Sequence, residues 1–183
     1  MTVISRRSLL TGVAGLAACS LPVAASAYTK AEIDSNVSAA LEQLRKVNGA
    51  PDLMSRALGY LVMADVKKAG LLVGGEYGEG TLFVGGAPTD YYSVAAASFG
   101  LQAGIQRSNQ ALFFMTEKAL KDFRTADGWT AGADAEITIP DNGVGVNVST
   151  HTQNKPVIGI IFGREGLMAG ASLEGAKFSR IYR

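Results

Sequence analysis

Tyr60-Leu61-Val62-Met63-Ala64-Asp65-Val66-Lys67-Lys68-Ala69-Gly70-Leu71-Leu72-Val73-Gly74-Gly75-Glu76-Tyr77-Gly78-Glu79-Gly80-Thr81-Leu82-Phe83-Val84 is the stretch on which the fold turns. Short runs rich in β-branched, aliphatic and aromatic residues are punctuated by glycine, the signature of strands joined by tight connections rather than of helices. Tyr60 to Val66, Gly70 to Val73 and Thr81 to Val84 read as strands, with Gly74 to Gly80 as a glycine-rich hairpin. The hairpin is not a phosphate loop. A Walker loop needs Gly-Lys-Ser/Thr opening a helix, and the dinucleotide spacing from Gly78 and Gly80 would need glycine where Phe83 stands.

The same texture continues downstream in Tyr91 to Ala97, Phe99 to Gln106 and Ala111 to Met115, and nine glycines fall between Gly70 and Gly104. Thr116 caps a short helix over Glu117 to Arg124, and strands resume at Ala135 to Ile139, Val144 to Ser149, Val157 to Phe162, Leu167 to Ala171 and Phe178 to Tyr182. Upstream, Thr29-Lys30-Ala31-Glu32 has capping-box spacing, and Ile33, Val37, Ala40, Leu41, Leu44 and Val47 recur at helical intervals before Gly49. Pro51 to Leu58 fits a second short helix. The fold class is α+β: N-terminal helices packed on a strongly curved, largely antiparallel, barrel-like sheet.

Residues 1–27 differ in kind. Ser5-Arg6-Arg7-Ser8-Leu9-Leu10 precedes an uncharged apolar run to Thr29, the pattern of a twin-arginine export signal. Two cleavage readings stand side by side: Ala25-Ser26-Ala27 before Tyr28, and Leu16-Ala17-Ala18-Cys19, which resembles a lipoprotein box with Cys19 as the lipid attachment residue. The domain is then 28–183, after a signal of 1–27 or 1–18, in a periplasmic or membrane-tethered protein.

The 183 residues are 48% hydrophobic and 18% charged, enough for one core. Seventeen basic residues face sixteen acidic ones, and the signal holds two of the arginines and no acid. A near-neutral domain makes a poor nucleic-acid clamp. One His and one Cys argue against zinc sites, a Cys/His nucleophile pair and an internal disulfide. His151 stands in a polar turn without a partner, and Gly-x-Ser-x-Gly is absent. Glu76 with Glu79, or Asp134 with Glu136, are candidate acid pairs for a carboxylate-dependent hydrolase, and they read as solvated acids. No catalytic residue, metal or cofactor is therefore expected. Lys67, Lys68 and Arg164 are the candidate contacts for an anionic ligand, should folding bring them to one rim.

Five blocks taken together are more specific. They are Lys67 to Leu82, with Gly70, Gly74, Gly78 and Gly80; Gly100-Leu101-Gln102-Ala103-Gly104; Phe114 to Leu120; Gly132-Ala133-Asp134-Ala135; and Gly166 to Gly175, whose core is Gly170-Ala171-Ser172-Leu173-Glu174-Gly175. In this order, over Leu53 to Phe178, the chain resembles the SYLF domain family. The resemblance implies a non-enzymatic module. Eukaryotic members are endocytic adaptors that bind phosphoinositides and in some cases actin, whereas exported bacterial members are small envelope proteins or lipoproteins. The chain looks like the bacterial kind, which meets neither actin nor phosphoinositides. The eukaryotic lipid contacts lie in a basic N-terminal helix, and the helix here is charge-balanced. What carries over is affinity for anionic phospholipid or another amphiphile; the alternative is a structural or protein-interaction module of the envelope.

Overall fold

The structure, a computed structural model, describes residues 28–70, 73–99, 104–132, 137–138, 155–165 and 173–183. Helices α1 (Lys30–Leu44) and α2 (Ala50–Arg56) precede strands β1 (Gly59–Gly70), β2 (Val73–Val84), β3 (Ala87–Phe99) and β4 (Gly104–Phe114). Helix α3 (Glu117–Thr125) follows, then β5 (Trp129–Thr130), β6 (Ile137–Thr138), β7 (Val157–Glu165) and β8 (Lys177–Ile181). The strands form one sheet in the order β5-β8-β3-β2-β1-β4-β7-β6. Every pairing is antiparallel except β6 with β7, which is parallel.

Tyr60, Leu61, Val62, Met63 and Ala64 are all buried, so β1 is covered on both faces. Strand alternation sends Tyr60, Val62 and Ala64 to one side, where they pack with Ile33, Val37, Ala40 and Leu44 of α1 and Leu53 of α2. Leu61 and Met63 go to the other side, where they meet Leu112, Phe114, Phe123, Trp129 and Phe178. That second layer is an aromatic cluster: Phe123 of α3 lies 4.6 Å from Phe114, 4.7 Å from Tyr92 and 5.4 Å from Trp129, centroid to centroid. Such pairs add about 0.5–1.5 kcal/mol each beyond area burial. Thr29 caps α1 with the full capping box predicted, accepting from the Glu32 amide while Glu32 accepts from the Thr29 amide. Thr116 caps α3 as predicted.

The curvature has a local cause. Between Ala64 and Lys67, β1 carries one residue more than β2 and β4, and Asp65 there has φ 49°. A bulge of this kind bends and twists a strand, and it also resets the alternation, so that Val66 rejoins the face of Leu61 and Met63. Asp65 holds this backbone through its amide, which donates to Asn109 Oδ1 at 3.0 Å. A second bulge, on β7 opposite Arg107 and Asn109, sits at the same level of the sheet.

Three expectations need correction. Gly74 to Gly80 is not a hairpin: these residues lie within β2, paired with β1 on one side and β3 on the other. Gly78 and Gly80 are there for closeness. A Cβ on Gly80 would stand 2.0 Å from the Val62 carbonyl oxygen and 2.7 Å from Met63 Cα. The β2–β3 turn falls at Gly85-Gly86 instead. Of the strand expected over Gly70 to Val73, Gly70 ends β1 and Val73 starts β2; of the one expected over Phe99 to Gln106, Phe99 ends β3 and Gly104 starts β4; residues 71–72 and 100–103 lie outside the described residues. The short β5 was not anticipated, and the strands expected over Val144 to Ser149 and Leu167 to Ala171 lie outside the described residues. Gly80→Ala should lower stability by roughly 3 kcal/mol or more, because backbone rather than a yielding side chain blocks the new methyl. Gly75→Ala, with nothing within 4 Å, should change it by less than about 1 kcal/mol; thermal denaturation of the two variants side by side measures the difference.

Candidate functional site

The face of the sheet under α3 ends in a groove of about 510 Å³. Its apolar lining is Leu58, Val84 and Leu120, and its charged lining is Glu117, Lys121, Arg124 and Arg180. The geometry follows from α3. Ala119 and Phe123 are buried against the sheet, which leaves Lys121 and Arg124, one helical turn apart, along the open side. Arg180 arrives from the opposite direction on β8, in register with Tyr92 of β3. Both guanidiniums converge on Asp90, which is only 7% exposed: Arg180 donates to Oδ1, and Arg124 Nη2 to Oδ2 at 3.4 Å. Lys121 makes no ion pair among the described residues. Beside the groove, the ring of Tyr182 is 85% exposed and lies 5.9 Å from the Arg180 guanidinium. The Tyr92 hydroxyl is buried without a partner next to these charges, and burial, then the Asp90 charge, pushes its pKa up.

A second polar centre lies on the other face, at the bulge. Tyr28 donates to Asp65 Oδ2 at 3.0 Å and accepts from Lys67 Nζ at 2.6 Å, while Arg107 Nη1 reaches Asp65 Oδ1 at 3.1 Å. Glu79, fully buried in its side chain, accepts from the Tyr77 hydroxyl at 2.6 Å and from Arg183 Nη2 at 2.7 Å. Burial and the bond to Glu79 together push the Tyr77 phenol up to about 12.

The residues singled out from sequence separate accordingly. Lys67 and Lys68 are neighbours on β1 and so point to opposite faces; Lys67 is engaged by Tyr28 and Asp65, and the two do not share a rim. Arg164 lies within β7 rather than in a turn. Glu76 and Glu79, three apart on β2, also face opposite ways and form no acid pair, and neither is a solvated acid: Glu79 is buried, and Glu76 is partly buried. Gln110 Nε2 donates to Glu76 Oε1. Of the block residues, Gly70 ends β1, Gly74, Gly78 and Gly80 lie in β2, and Gly104 starts β4. Leu173 is buried in the aromatic core. Exposed Glu174 and Gly175, whose φ of 76° only glycine adopts without strain, make the turn into β8. Cys19, Gly100, Asp134, Glu136, His151, Gly170 and Ser172 lie outside the described residues. Among the described residues no three His, Cys, Asp or Glu side chains gather into a metal site, and no helix is long and apolar enough to cross a membrane.

The groove residues themselves escaped the sequence reading. Lys121 and Arg124 at i and i+3 on a predicted helix were a usable signal, but nothing local ties them to Arg180 or Asp90.

Two variants test the polar groups. Arg183→Ala leaves the Glu79 carboxylate buried without its cation and should cost about 3 kcal/mol, whereas Glu79→Gln combined with Arg183→Met should recover most of that in chemical denaturation. Burial raises the Glu76 pKa above 4.5, opposed by the Gln110 bond and the Lys68 charge. The folded state thus holds the proton more tightly than the unfolded one, so stability is greatest in acid and falls as pH rises from the unfolded value to the raised folded one. Glu76→Gln should be more stable than the parent at neutral pH and indistinguishable from it at pH ~4.

A family model described as Ysc84, Las17-binding protein actin regulator, matches residues 95–181. That span holds the end of β3, then β4, α3 and β5 through β8, including Lys121, Arg124 and Arg180 of the groove. A comparison with curated proteins returns no match. Residues 95–181 thus match the same domain family, SYLF, that the five sequence blocks resemble.

Proposed function

We propose that this is an exported, non-catalytic protein of the cell envelope that binds anionic phospholipid or another anionic amphiphile. The observation that carries the reading is the groove: an apolar floor of Leu58, Val84 and Leu120 beside three cations, Lys121, Arg124 and Arg180, which outnumber its one lining acid, Glu117, is complementary to a molecule with a hydrocarbon part and a negative head. Leu58, 41% exposed, and the exposed Tyr182 ring add apolar and interfacial surface at its edge. Export is supported by Ser5-Arg6-Arg7-Ser8-Leu9-Leu10, and a membrane tether by Cys19 in its lipoprotein-box context. The family description names an actin regulator; an exported chain does not encounter actin, so that activity forms no part of the proposal. Of the two candidate acid pairs, Glu76 and Glu79 face opposite sides of the sheet and so cannot act together.

Co-sedimentation of the full chain with phosphatidylglycerol vesicles tests the reading. Binding should be strong at low salt, weaken as salt rises and be absent with phosphatidylcholine. Lys121→Glu, at an exposed position outside any ion pair among the described residues, should weaken it at least fivefold, since each basic residue at an anionic surface contributes about 1 kcal/mol. No binding to the anionic vesicles at low salt would overturn the proposal.

A further inference from the structure

We infer that Arg124 and Arg180, anchored on Asp90, form a clamp for the oxyanion of a single-chain amphiphile whose tail lies along Leu58, Val84 and Leu120. The inference rests on the proposed function and narrows it, from an anionic lipid to one molecule held in the groove by its carboxylate or phosphate head. Position comes first. Asp90 is almost wholly buried, while the Arg124 and Arg180 side chains are 42% and 45% exposed, so the acid stands behind and the cations in front. Each Asp90 oxygen takes one guanidinium. A guanidinium carries five N–H donors in a planar fork suited to two-point binding of carboxylate or phosphate, so most donors of the pair remain unspent.

Charge points the same way. Two arginines share Asp90, and Lys121, without an ion pair among the described residues, adds a third cation, so that with Glu117 the groove still carries one net positive charge. Capacity selects the ligand's size. About 510 Å³ falls within the range of small-molecule sites, ~300–1,000 Å³, and accommodates one chain with its head. Asp90 also preorganises the clamp, because it fixes two long side chains that would otherwise lose rotamer freedom on binding.

Isothermal titration of the full chain with decyl phosphate and with decanoate, both below their micelle concentrations, tests this. Inorganic phosphate serves as the head alone and decyltrimethylammonium as the same tail with inverted charge. At least one of the two anionic amphiphiles should bind, inorganic phosphate should bind at least tenfold more weakly than decyl phosphate, and the ammonium should not bind. Arg124→Gln and Arg180→Gln should each weaken the bound amphiphile at least tenfold, with Arg124→Lys recovering part of the loss and Lys118→Gln, on the same helix outside the groove, having no effect. Leu58→Asn, at an exposed position away from Asp90, keeps the test valid even if an arginine variant unfolds: it should weaken the amphiphile several-fold and leave inorganic phosphate unchanged. Equal binding by parent and arginine variants, or equal affinity for inorganic and decyl phosphate, overturns the clamp. Vesicle binding without any binding of the free amphiphiles overturns the clamp and leaves the broader reading standing, whereas loss of both removes both.

Discussion

A strand with apolar side chains on both faces cannot sit at the surface. Tyr60 to Ala64 of β1 impose that condition, and Ala111 to Phe114 of β4 repeat it beside them. An antiparallel sheet usually leaves one face to water; here neither face of the central strands can be left so. One layer is supplied by α1 and α2, and the other by α3 together with Trp129, Leu173 and Phe178. The topology follows from this need, since the chain has to return after β4 to lay α3 across the second face and then place β8 against β3.

The groove is a by-product of the second layer. Helix α3 is short, nine residues, and it covers the sheet through Ala119 and Phe123. Where it stops covering, Leu58, Val84 and Leu120 remain as an apolar floor, and the outward residues of the helix become a wall. Arg180 completes that wall only because β8 pairs with β3 in a register that sets it opposite Tyr92 and near Asp90. A buried carboxylate between two half-exposed arginines is costly to leave unpaired, so the triad both ties β8 to α3 and holds two cations toward solvent.

The opposite face shows the same economy of polar groups. The bulge at Asp65 turns a backbone irregularity into an anchoring point for Tyr28, Lys67 and Arg107. It occupies the very lysine whose sequence position invited a ligand-binding role. Asp90 and Asp65 thus each collect two basic side chains, Arg124 with Arg180 and Lys67 with Arg107, and they differ in exposure and in the apolar surface beside them. Only the Asp90 cluster stands next to an apolar floor.

Local sequence determined the helices and most strands. The capping box at Thr29, the cap at Thr116 and the apolar spacing of Ile33, Val37, Ala40 and Leu44 act through neighbours three or four residues away, and so they could be read directly. The glycines of Gly74 to Gly80 misled because their requirement is not local: glycine at position 80 answers to the backbone of Val62 and Met63 on the neighbouring strand, and a turn glycine looks identical in one dimension. Whether Lys67 and Lys68 share a face depends on strand alternation and on a one-residue bulge. The meeting of Asp90, Arg124 and Arg180 depends on contacts 34 and 90 residues apart in the chain. Those were decided by the tertiary structure alone, since charge complementarity acts through distance in space and leaves no periodicity along the chain.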